Sequence, residues 1–270
     1  MAPTVSICIV TWRDRDRVLT CLRSIEQHAG VDHEVIVVDD AGGDGTPEAV
    51  RERFPSAIVV AKAVNEGLAA GRNDAVAVAR GRYVLMLDSD TEVRPGAIPT
   101  MLAAFERDER VGLVGPRLEG DDGELQPSCR RWPPFFIPLM RRGPYARIDP
   151  NPKVHQRHMM QDFDHRTERP VIWVSGATQM WPRELGQRMG PYDVRVSSYG
   201  GEDLDWCLRV WGAGRRVHYV PEAVVMHHWQ AVTRQNLYSR KSWRALRDWY
   251  YLQWKHRRLR NDPRLDPGNA

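Results

Sequence analysis

The 270-residue sequence contains few cysteines and no long hydrophobic run. Its four cysteines form no C-x-x-C pair and show no zinc-ligand spacing, so we expect no disulfide framework and a reducing compartment. No segment approaches the roughly 18 apolar residues of a membrane-spanning helix, and the first residues lack the basic segment and apolar core of a secretory signal. These absences predict a cytoplasmic protein, either free or attached peripherally to the inner face of a membrane.

Net positive charge is also small, and it is confined to the C-terminal end. The total of +4 is too low to indicate nucleic-acid binding by itself. Residues 234–260 hold nine Lys and Arg and one acidic residue, whereas residues 1–233 hold 29 basic and 32 acidic residues. We therefore expect no nucleic-acid partner, and only the C-terminal segment leaves that alternative open.

The first 120 residues alternate near-continuous apolar runs with amphipathic stretches. Strands are predicted at 5–10, 34–40, 57–63 and 83–88, and helices at 15–28, 46–54 and 68–79. Buried strands separated by helices indicate a mostly parallel, Rossmann-like α/β sheet covered on both faces. Ligands of such sheets bind beyond the carboxyl ends of the strands. Four aspartates are predicted there: Asp39, Asp40, Asp88 and Asp90.

The second half of the sequence is less regular. Eight of the 19 prolines fall within residues 127–170, which predicts an irregular loop. We expect it to cover the acceptor side of a cleft, with Arg130 and Arg131 available for an anionic acceptor; a surface loop without substrate contact is the alternative. Strands are predicted again at 171–174 and 216–227, and a helix near 203–211.

The C-terminal segment 234–270 is predicted to be a helical appendage, with one amphipathic helix from 238 to about 259. Its large apolar residues are spaced by three and four: Trp243, Leu246, Tyr250 and Trp254. We expect this stripe to pack on the preceding domain with the basic side chains outward. Two alternatives stay open, since a basic helix with tryptophans can lie in a membrane interface and the same stripe could form a homodimer contact.

The strongest chemical feature is Asp88-Ser89-Asp90, at the end of an apolar strand. Two carboxylates on one turn can both reach one hard divalent cation, which can neutralise the charge of a departing diphosphate. His227, at the end of another apolar strand, could complete the coordination. Turn formation by Asp and Ser, and a structural histidine, are the alternatives.

A second acidic group stands at the predicted start of a helix. Glu202, Asp203 and Asp205 follow a glycine pair, and acidic residues in a first turn are stabilised by the helix dipole. A carboxylate held at the edge of a cleft can also act as a general base on an incoming hydroxyl. Both interpretations stay open from the residues alone.

A third group is suited to a nucleotide. The carboxylates of Asp39 and Asp40 can accept hydrogen bonds from a base or a ribose, and the guanidinium of Arg72 can pair with phosphate. Asn65 and Gly67 lie on the intervening loop. The sequence has neither a G-x-G-x-x-G nor a G-x-x-x-x-G-K-[ST] motif, which argues against a dinucleotide or ATP.

In this order the motifs resemble glycosyltransferase family 2, the inverting GT-A glycosyltransferases, and most closely its rhamnosyltransferase-like members. The resemblance extends from residue 5 to about 233. Its elements are residues 9–13, 37–40 with 44–46, 65–73, 88–90, and 201–203 with 220–222 and His227. It implies a GT-A domain at 1–233, with a nucleotide-sugar half at 1–120 and an acceptor and catalytic half at 121–233.

The resemblance also implies roles for individual residues. Those of the donor site are Thr11, Asp39, Asp40, Asn65, Gly67, Arg72, Asp88 and Ser89. Asp88 and Asp90 would hold Mn²⁺ or Mg²⁺ with His227, and Asp203 would be the base, with Glu202 beside it. The sequence departs from the family pattern at residues 12–13, at Asp40 and at 228–230, which leaves donor and acceptor identity open.

The expected activity is transfer of a sugar from a UDP-, dTDP- or GDP-linked donor to a hydroxyl of a glycan, a lipid-linked sugar or a small molecule. A nucleotidyltransferase is the first alternative, but residues 5–14 contain no basic, glycine-rich phosphate loop. A non-catalytic binding or scaffold protein is the second. The intact set of Asp88, Asp90 and Asp203 argues against it.

Overall fold

The computed structural model describes residues 2–136, 152–196, 201–228 and 240–265, of which residues 240 and 241 are described without their side chains. The strands are β1 Val5–Thr11, β2 His33–Asp39, β3 Ile58–Ala61, β4 Tyr83–Asp88, β5 Thr91–Val93, β6 Val111–Glu119, β7 Leu125–Gln126, β8 Cys129–Arg130, β9 Arg169–Pro170, β10 Trp173–Val174, β11 Thr178–Pro182 and β12 Arg216–His227. The helices are α1 Arg15–His28, α2 Thr46–Arg53, α3 Leu68–Val78, α4 Ala97–Arg107, α5 Lys153–His158, α6 Arg183–Met189, α7 Glu202–Gly212 and α8 Arg240–Lys255.

One mixed sheet organises these elements. Its strand order is β3-β2-β1-β4-β11-β6-β12-β5, with β7 beside β6 and β9 beside β12. The pairs β3–β2, β2–β1, β1–β4 and β6–β12 are parallel, whereas β11 runs antiparallel to both of its neighbours. The predicted α/β fold with a mostly parallel sheet is confirmed. Within the described residues, no helix has both the length and the apolar character required to cross a bilayer.

Hydrophobic side chains cover both faces of this sheet. Along β1, Ile7 and Ile9 face the cluster that contains α1 and α4, whereas Cys8 faces the cluster that contains α3 and α7. All three side chains are fully buried. The near-continuous apolar runs that predicted a doubly covered sheet therefore correspond to strands whose alternate residues enter two separate cores.

Several elements after β4 escaped prediction. Strand β6 contains two glycines and a proline, which weaken its strand signal. Gly115 is required there because a Cβ atom would lie 2.7 Å from the side chain of Val174. The strand predicted at 171–174 is limited to Trp173–Val174, which pairs with β8 outside the main sheet. The local sequence pattern does not predict these strands, because their residues are determined by contacts with distant parts of the chain.

The described parts of the proline-rich segment, 127–136 and 152–170, contain two-residue strands and the six-residue helix α5. This irregularity was predicted from the prolines. Residues 137–151 lie outside the described residues, and the contact of this segment with an acceptor stays a prediction.

The C-terminal helix α8 packs on the domain, but through a different face from the one predicted. Its buried residues are Asp248 and Leu252, and His256 continues the same line one turn later. Trp243 and Trp254 are 61% and 62% exposed. The predicted packing stripe is therefore wrong at its two tryptophans, whereas Leu246 and Tyr250 are half-buried. Apolar spacing alone gave no weight to the polar contacts that fix the helix.

Those polar contacts fasten α8 to α7. The buried carboxylate of Asp205 lies 2.7 Å from His256 Nε2 and 2.8 Å from Lys255 Nζ. Lys255 also lies 2.8 Å from Asp193, which accepts a hydrogen bond from the hydroxyl of Tyr251. Burial raises the pKa of Asp205, but the hydrogen bonds from His256 and Lys255 outweigh it and the pKa is lowered. The expectation that the basic side chains all point outward is wrong for Lys255.

A pair of substitutions tests which face of α8 packs. We expect Leu252→Ala to lower the free energy of unfolding by about 2–5 kcal/mol, the usual cost of truncating a buried leucine. Trp254→Ala should change it by less than about 0.5 kcal/mol, because the ring is largely in solvent. Chemical denaturation of both variants measures the difference. Equal losses would mean that the tryptophan face packs instead.

Candidate active site

The carboxyl ends of three parallel strands meet at one edge of the sheet. Thr11 at the end of β1 lies beside Asp39 at the end of β2, and Val10 lies beside Asp88 at the end of β4. The aspartates that the sequence placed at strand ends are thus brought together. This edge is the position at which open α/β sheets bind ligands.

The same edge carries a set of metal-ligand side chains. Oxygens of Asp88 and Asp90 and a ring nitrogen of His227 all lie within 4.8 Å of one another. Asp90 Oδ1 is 3.6 Å from His227 Nε2. The antiparallel pairing of β12 with β5 places His227 opposite Thr91, so residues far apart in sequence become neighbours.

Gln126 holds the ring of His227 and was missed in the sequence. Its amide nitrogen donates a hydrogen bond to the carbonyl oxygen of His227 at 2.9 Å, which leaves its Oε1 to face His227 Nδ1, also at 2.9 Å. Because Oε1 can only accept, Nδ1 carries a proton, and Nε2 is the ring nitrogen that faces Asp90. No local motif around Gln126 marks this role.

The chemistry of this set fits a divalent cation. Two carboxylates and one imidazole nitrogen suit Mn²⁺. Burial and the nearby charge of Asp88 raise the pKa of Asp90, an unfavourable arrangement that a bound cation would relieve. Asp88, Asp90 and His227 therefore fit the metal site that the sequence indicated.

Asp203 lies in the first turn of α7, inside the protein. Its Oδ2 accepts a hydrogen bond from the backbone of Gly176 at 2.8 Å, and its Oδ1 accepts one from Leu204 at 2.7 Å. The residue is 4% exposed. Burial raises its pKa, and the charge of Arg72 and the two amide donors only partly offset this. A raised pKa makes this carboxylate a stronger base than an exposed aspartate.

Arg72 connects the two carboxylate groups. It projects from α3 and is 1% exposed; its NH2 group donates to Asp88 Oδ1 at 3.1 Å and to the carbonyl of Gly176 at 3.0 Å. Its NH1 group lies 3.4 Å from Glu202 Oε1. Burial and the charge of Asp203 raise the pKa of Glu202, against the lowering effect of Arg72. The structure therefore places Arg72 between acidic side chains of the protein.

Gly176 is where these groups meet. Its N–H donates to Asp203 and its carbonyl accepts from Arg72, so this one residue links the candidate base to the metal-ligand edge. A Cβ atom here would lie 2.9 Å from Asp203 Cβ and 3.1 Å from both terminal nitrogens of Arg72. Only glycine allows that approach, which no sequence motif signalled.

The predicted nucleotide residues differ in what their side chains contact. Thr11 Oγ1 and Asp39 Oδ1 are buried and make no hydrogen bond within the described protein. Burial raises the pKa of Asp39, although the backbone of Gly42 donates to its other oxygen. Two unpartnered polar atoms at the sheet edge are what a base or ribose could satisfy.

Asp40, in contrast, organises the loop at 65–67. Its carboxylate accepts hydrogen bonds from the backbone of Glu66 and Gly67 at 3.0 and 2.8 Å, and its carbonyl accepts one from Asn65. Ser89 donates to Asp14 at 2.8 Å. These predicted donor-site residues lie at the expected edge, with part of their bonding capacity used by the protein.

Of the two arginines predicted to face an acceptor, Arg131 is committed elsewhere. Its NH1 group donates to Asp162 at 2.6 Å and to a backbone carbonyl at 2.8 Å. Among the described residues, the side chain of Arg130 donates to the carbonyls of Pro127 and Cys129. Burial lowers its pKa, and the charges of Cys129 and Asp203 offset this in part. The two side chains are therefore not equivalent.

Comparison with known proteins gives a family. Residues 6–161 match the family described as Glycosyl transferase family 2. The N-acetylglucosaminyl-diphospho-decaprenol L-rhamnosyltransferase of Mycobacterium tuberculosis is 29% identical over 207 residues, covering 72% of this chain and 66% of the relative. An uncharacterized protein of the same organism is 32% identical, covering 88% of this chain and 74% of that protein. The chain thus spans about two thirds of the rhamnosyltransferase.

Solved structures share the fold. GalNAc-T7 with UDP, GalNAc and Mn²⁺ has a TM-score of 0.68 at 17% identity, covering 94% of this chain and 48% of that one. The mannosyltransferase PcManGT of Pyrobaculum calidifontis, in complex with GDP-Man and Mn²⁺, has a TM-score of 0.63 at 22% identity, covering 100% and 68%. With the family match over more than half of its length, this GT-A-fold chain belongs to glycosyl transferase family 2.

Proposed function

We propose that the chain is an inverting, metal-dependent glycosyltransferase that moves a sugar from a nucleotide diphosphate sugar to an acceptor hydroxyl. The observation that carries this proposal is the link from Asp203 through Gly176 and Arg72 to Asp88. It holds a candidate base and a candidate diphosphate site in one rigid unit. Direct displacement needs both, with the base beside the attacking hydroxyl.

Each residue has a part in this reaction. Thr11 and Asp39 bind the nucleobase and the ribose of the donor through the polar atoms that have no hydrogen-bond partner in the described protein. Asp88, Asp90 and His227 would hold Mn²⁺ or Mg²⁺, which supplies positive charge against the leaving diphosphate. Asp203 removes the proton of the acceptor hydroxyl, whose oxygen attacks the anomeric carbon from the side opposite the diphosphate. The new glycosidic bond forms as the bond to phosphate oxygen breaks.

The role proposed for Arg72 differs from the phosphate binding that the sequence suggested. Its terminal nitrogens are bound to Asp88, Gly176 and Glu202. In this proposal it fixes the carboxylates relative to each other, and Glu202 acts as its counterion and not as the base. Asp205 is also set aside as a base, because it binds the C-terminal helix.

The names of the relatives support a nucleotide-sugar donor and a lipid-linked acceptor, and they differ in the nucleotide and the sugar. One neighbour binds UDP and another GDP-Man, and the mycobacterial relative is named for a rhamnosyl transfer to a lipid-linked sugar. UDP-, dTDP- and GDP-linked sugars are therefore the donors to test. Acceptors to test are glycans, lipid-linked sugars and small hydroxyl compounds.

Donor turnover tests the proposal. The full chain, incubated with each nucleotide sugar, Mn²⁺ and a mixture of acceptors, should release nucleoside diphosphate from one donor class. The variant Asp90→Asn should release none while keeping its melting temperature, because Asp90 is not a partner of the buried Arg72. Lack of release from every donor would favour the non-catalytic alternative.

A further inference from the structure

The outer face of α8 is an exposed aromatic and basic surface that the catalytic site does not use. Trp243, Tyr250 and Trp254 are spaced by seven and four residues, so they lie along one line of the helix, about 16 Å from end to end. Leu252 and Asp248, which are buried, lie on the opposite side. The helix therefore buries one face and leaves the two tryptophans of this line largely in solvent.

Two phenylalanines extend the line into a patch. The ring of Phe135 lies 4.8 Å from that of Tyr250, and Phe135 and Phe136 are 48% and 50% exposed. We call Trp243, Tyr250, Trp254, Phe135 and Phe136 the aromatic patch. Exposed apolar groups gathered on one surface mark an interaction site more often than scattered ones do.

Positive charge surrounds this patch. Exposed arginines lie along the helix and just beyond its end: Arg244, Arg247, Arg257, Arg258 and Arg260. The guanidinium of Arg257 lies 5.0 Å above the ring of Trp254. Asp248, the acidic residue of this stretch, is 1% exposed. Between residues 242 and 260, the described surface presents cations and aromatic rings with no exposed carboxylate.

We propose that the aromatic patch docks on an anionic lipid surface. Tryptophan and tyrosine rings settle at the boundary between headgroups and acyl chains, and flanking arginines pair with lipid phosphates. A second copy fits less well, because a two-fold contact through this face would oppose like charges. Single-stranded nucleic acid is usually held in a groove, whereas this patch lies on the outward side of a helix.

Docking would also fix the position of α7, the helix that carries Asp203. Lys255 and His256 bind Asp205 on α7, two residues from Asp203. A bilayer that holds α8 would therefore hold the candidate base at a set height above the surface. The membrane contact itself is independent of which sugar or acceptor is used.

Vesicle sedimentation of the full chain without nucleotide tests the proposal. Vesicles of phosphatidylcholine with about 30% phosphatidylglycerol carry the negative surface that attracts basic segments. We expect binding to these vesicles, little to phosphatidylcholine alone, and loss of binding at high salt. Trp243→Ser with Trp254→Ser should weaken binding about tenfold or more, since two large rings no longer enter the interface.

A matched pair of charge variants separates location from net charge. Arg244→Glu with Arg257→Glu should abolish binding. Arg23→Glu with Arg51→Glu changes the net charge equally at exposed positions of α1 and α2, away from α8, and should retain most of the binding. Unchanged melting temperatures confirm folding. The proposal is overturned by equal binding to both vesicle types or by equal losses in both charge variants. It is also overturned if the tryptophan variant merely converts a dimer to a monomer, or if RNA binds this patch more tightly than lipid.

Discussion

Asp203→Asn is expected to lower turnover by about 10²–10⁴-fold, the usual contribution of a general base, while donor binding persists. The substitution keeps the shape of the side chain. Because Asn has a single acceptor oxygen, it can retain only one of the two backbone hydrogen bonds, from Gly176 or from Leu204. What is lost is the ability to take the proton of the acceptor hydroxyl. Steady-state kinetics and donor binding by calorimetry measure the two effects separately.

Glu202→Gln is the matched control, because Glu202 is the adjacent carboxylate and is also buried. It should reduce turnover less than Asp203→Asn does, since its contact is with Arg72. A larger loss in Glu202→Gln, with near-normal turnover in Asp203→Asn, would assign the base to Glu202.

The pH dependence has a defined sign. Burial raises the pKa of Asp203, and the proposed reaction needs its charged form. Activity is therefore present above this raised pKa and lost as pH falls through it. The acidic limb of the kcat/KM profile should lie above the pKa of an exposed aspartate, and Asp203→Asn should remove that limb from the residual activity.

Arg72→Met is expected to lower the free energy of unfolding by about 3–5 kcal/mol. Removing one partner of a buried ion pair leaves the others as uncompensated charges. Here those charges are Glu202, almost fully buried, and Asp88, which is partly exposed. Chemical denaturation of the variant measures the loss.

A double-mutant cycle identifies the cause of that loss. Adding Glu202→Gln to Arg72→Met removes the buried charge that has lost its partner, so it should recover about 0.5–3 kcal/mol, the range of coupling between contacting residues. If Arg72→Met instead leaves stability unchanged and weakens only nucleotide-diphosphate binding, Arg72 contacts phosphate, as the sequence suggested.

The part of the site that could be predicted from the sequence is the set of aspartates at the ends of the strands. Asp39 and Asp88 end apolar strands, and parallel pairing with β1 brings such ends to one edge. Local pattern and a simple rule of sheet geometry were therefore enough to anticipate this part of the site. The family could be identified from the order of the motifs, because motifs that are weak individually become specific when they follow one another in the family's order.

Contacts between distant segments could not be predicted in this way. Gln126 is 101 residues from His227, and Gly176 meets Arg72 and Asp203 through a close approach that only the folded chain reveals. The C-terminal helix shows the same limit: a hydrophobic stripe predicted its packing face, but ion pairs with Asp205 fix the opposite one. Periodicity records side-chain character and gives no information about such partners.

The central claim is that Asp88, Asp90 and His227 form the metal-dependent diphosphate site of this chain. Isothermal titration of UDP, dTDP and GDP, each with Mn²⁺ and with EDTA, tests it most directly. We expect one nucleotide to bind in Mn²⁺, at least about tenfold more weakly in EDTA, and to lose this difference in Asp90→Asn. Equal affinity of that nucleotide in Mn²⁺ and EDTA would contradict the account.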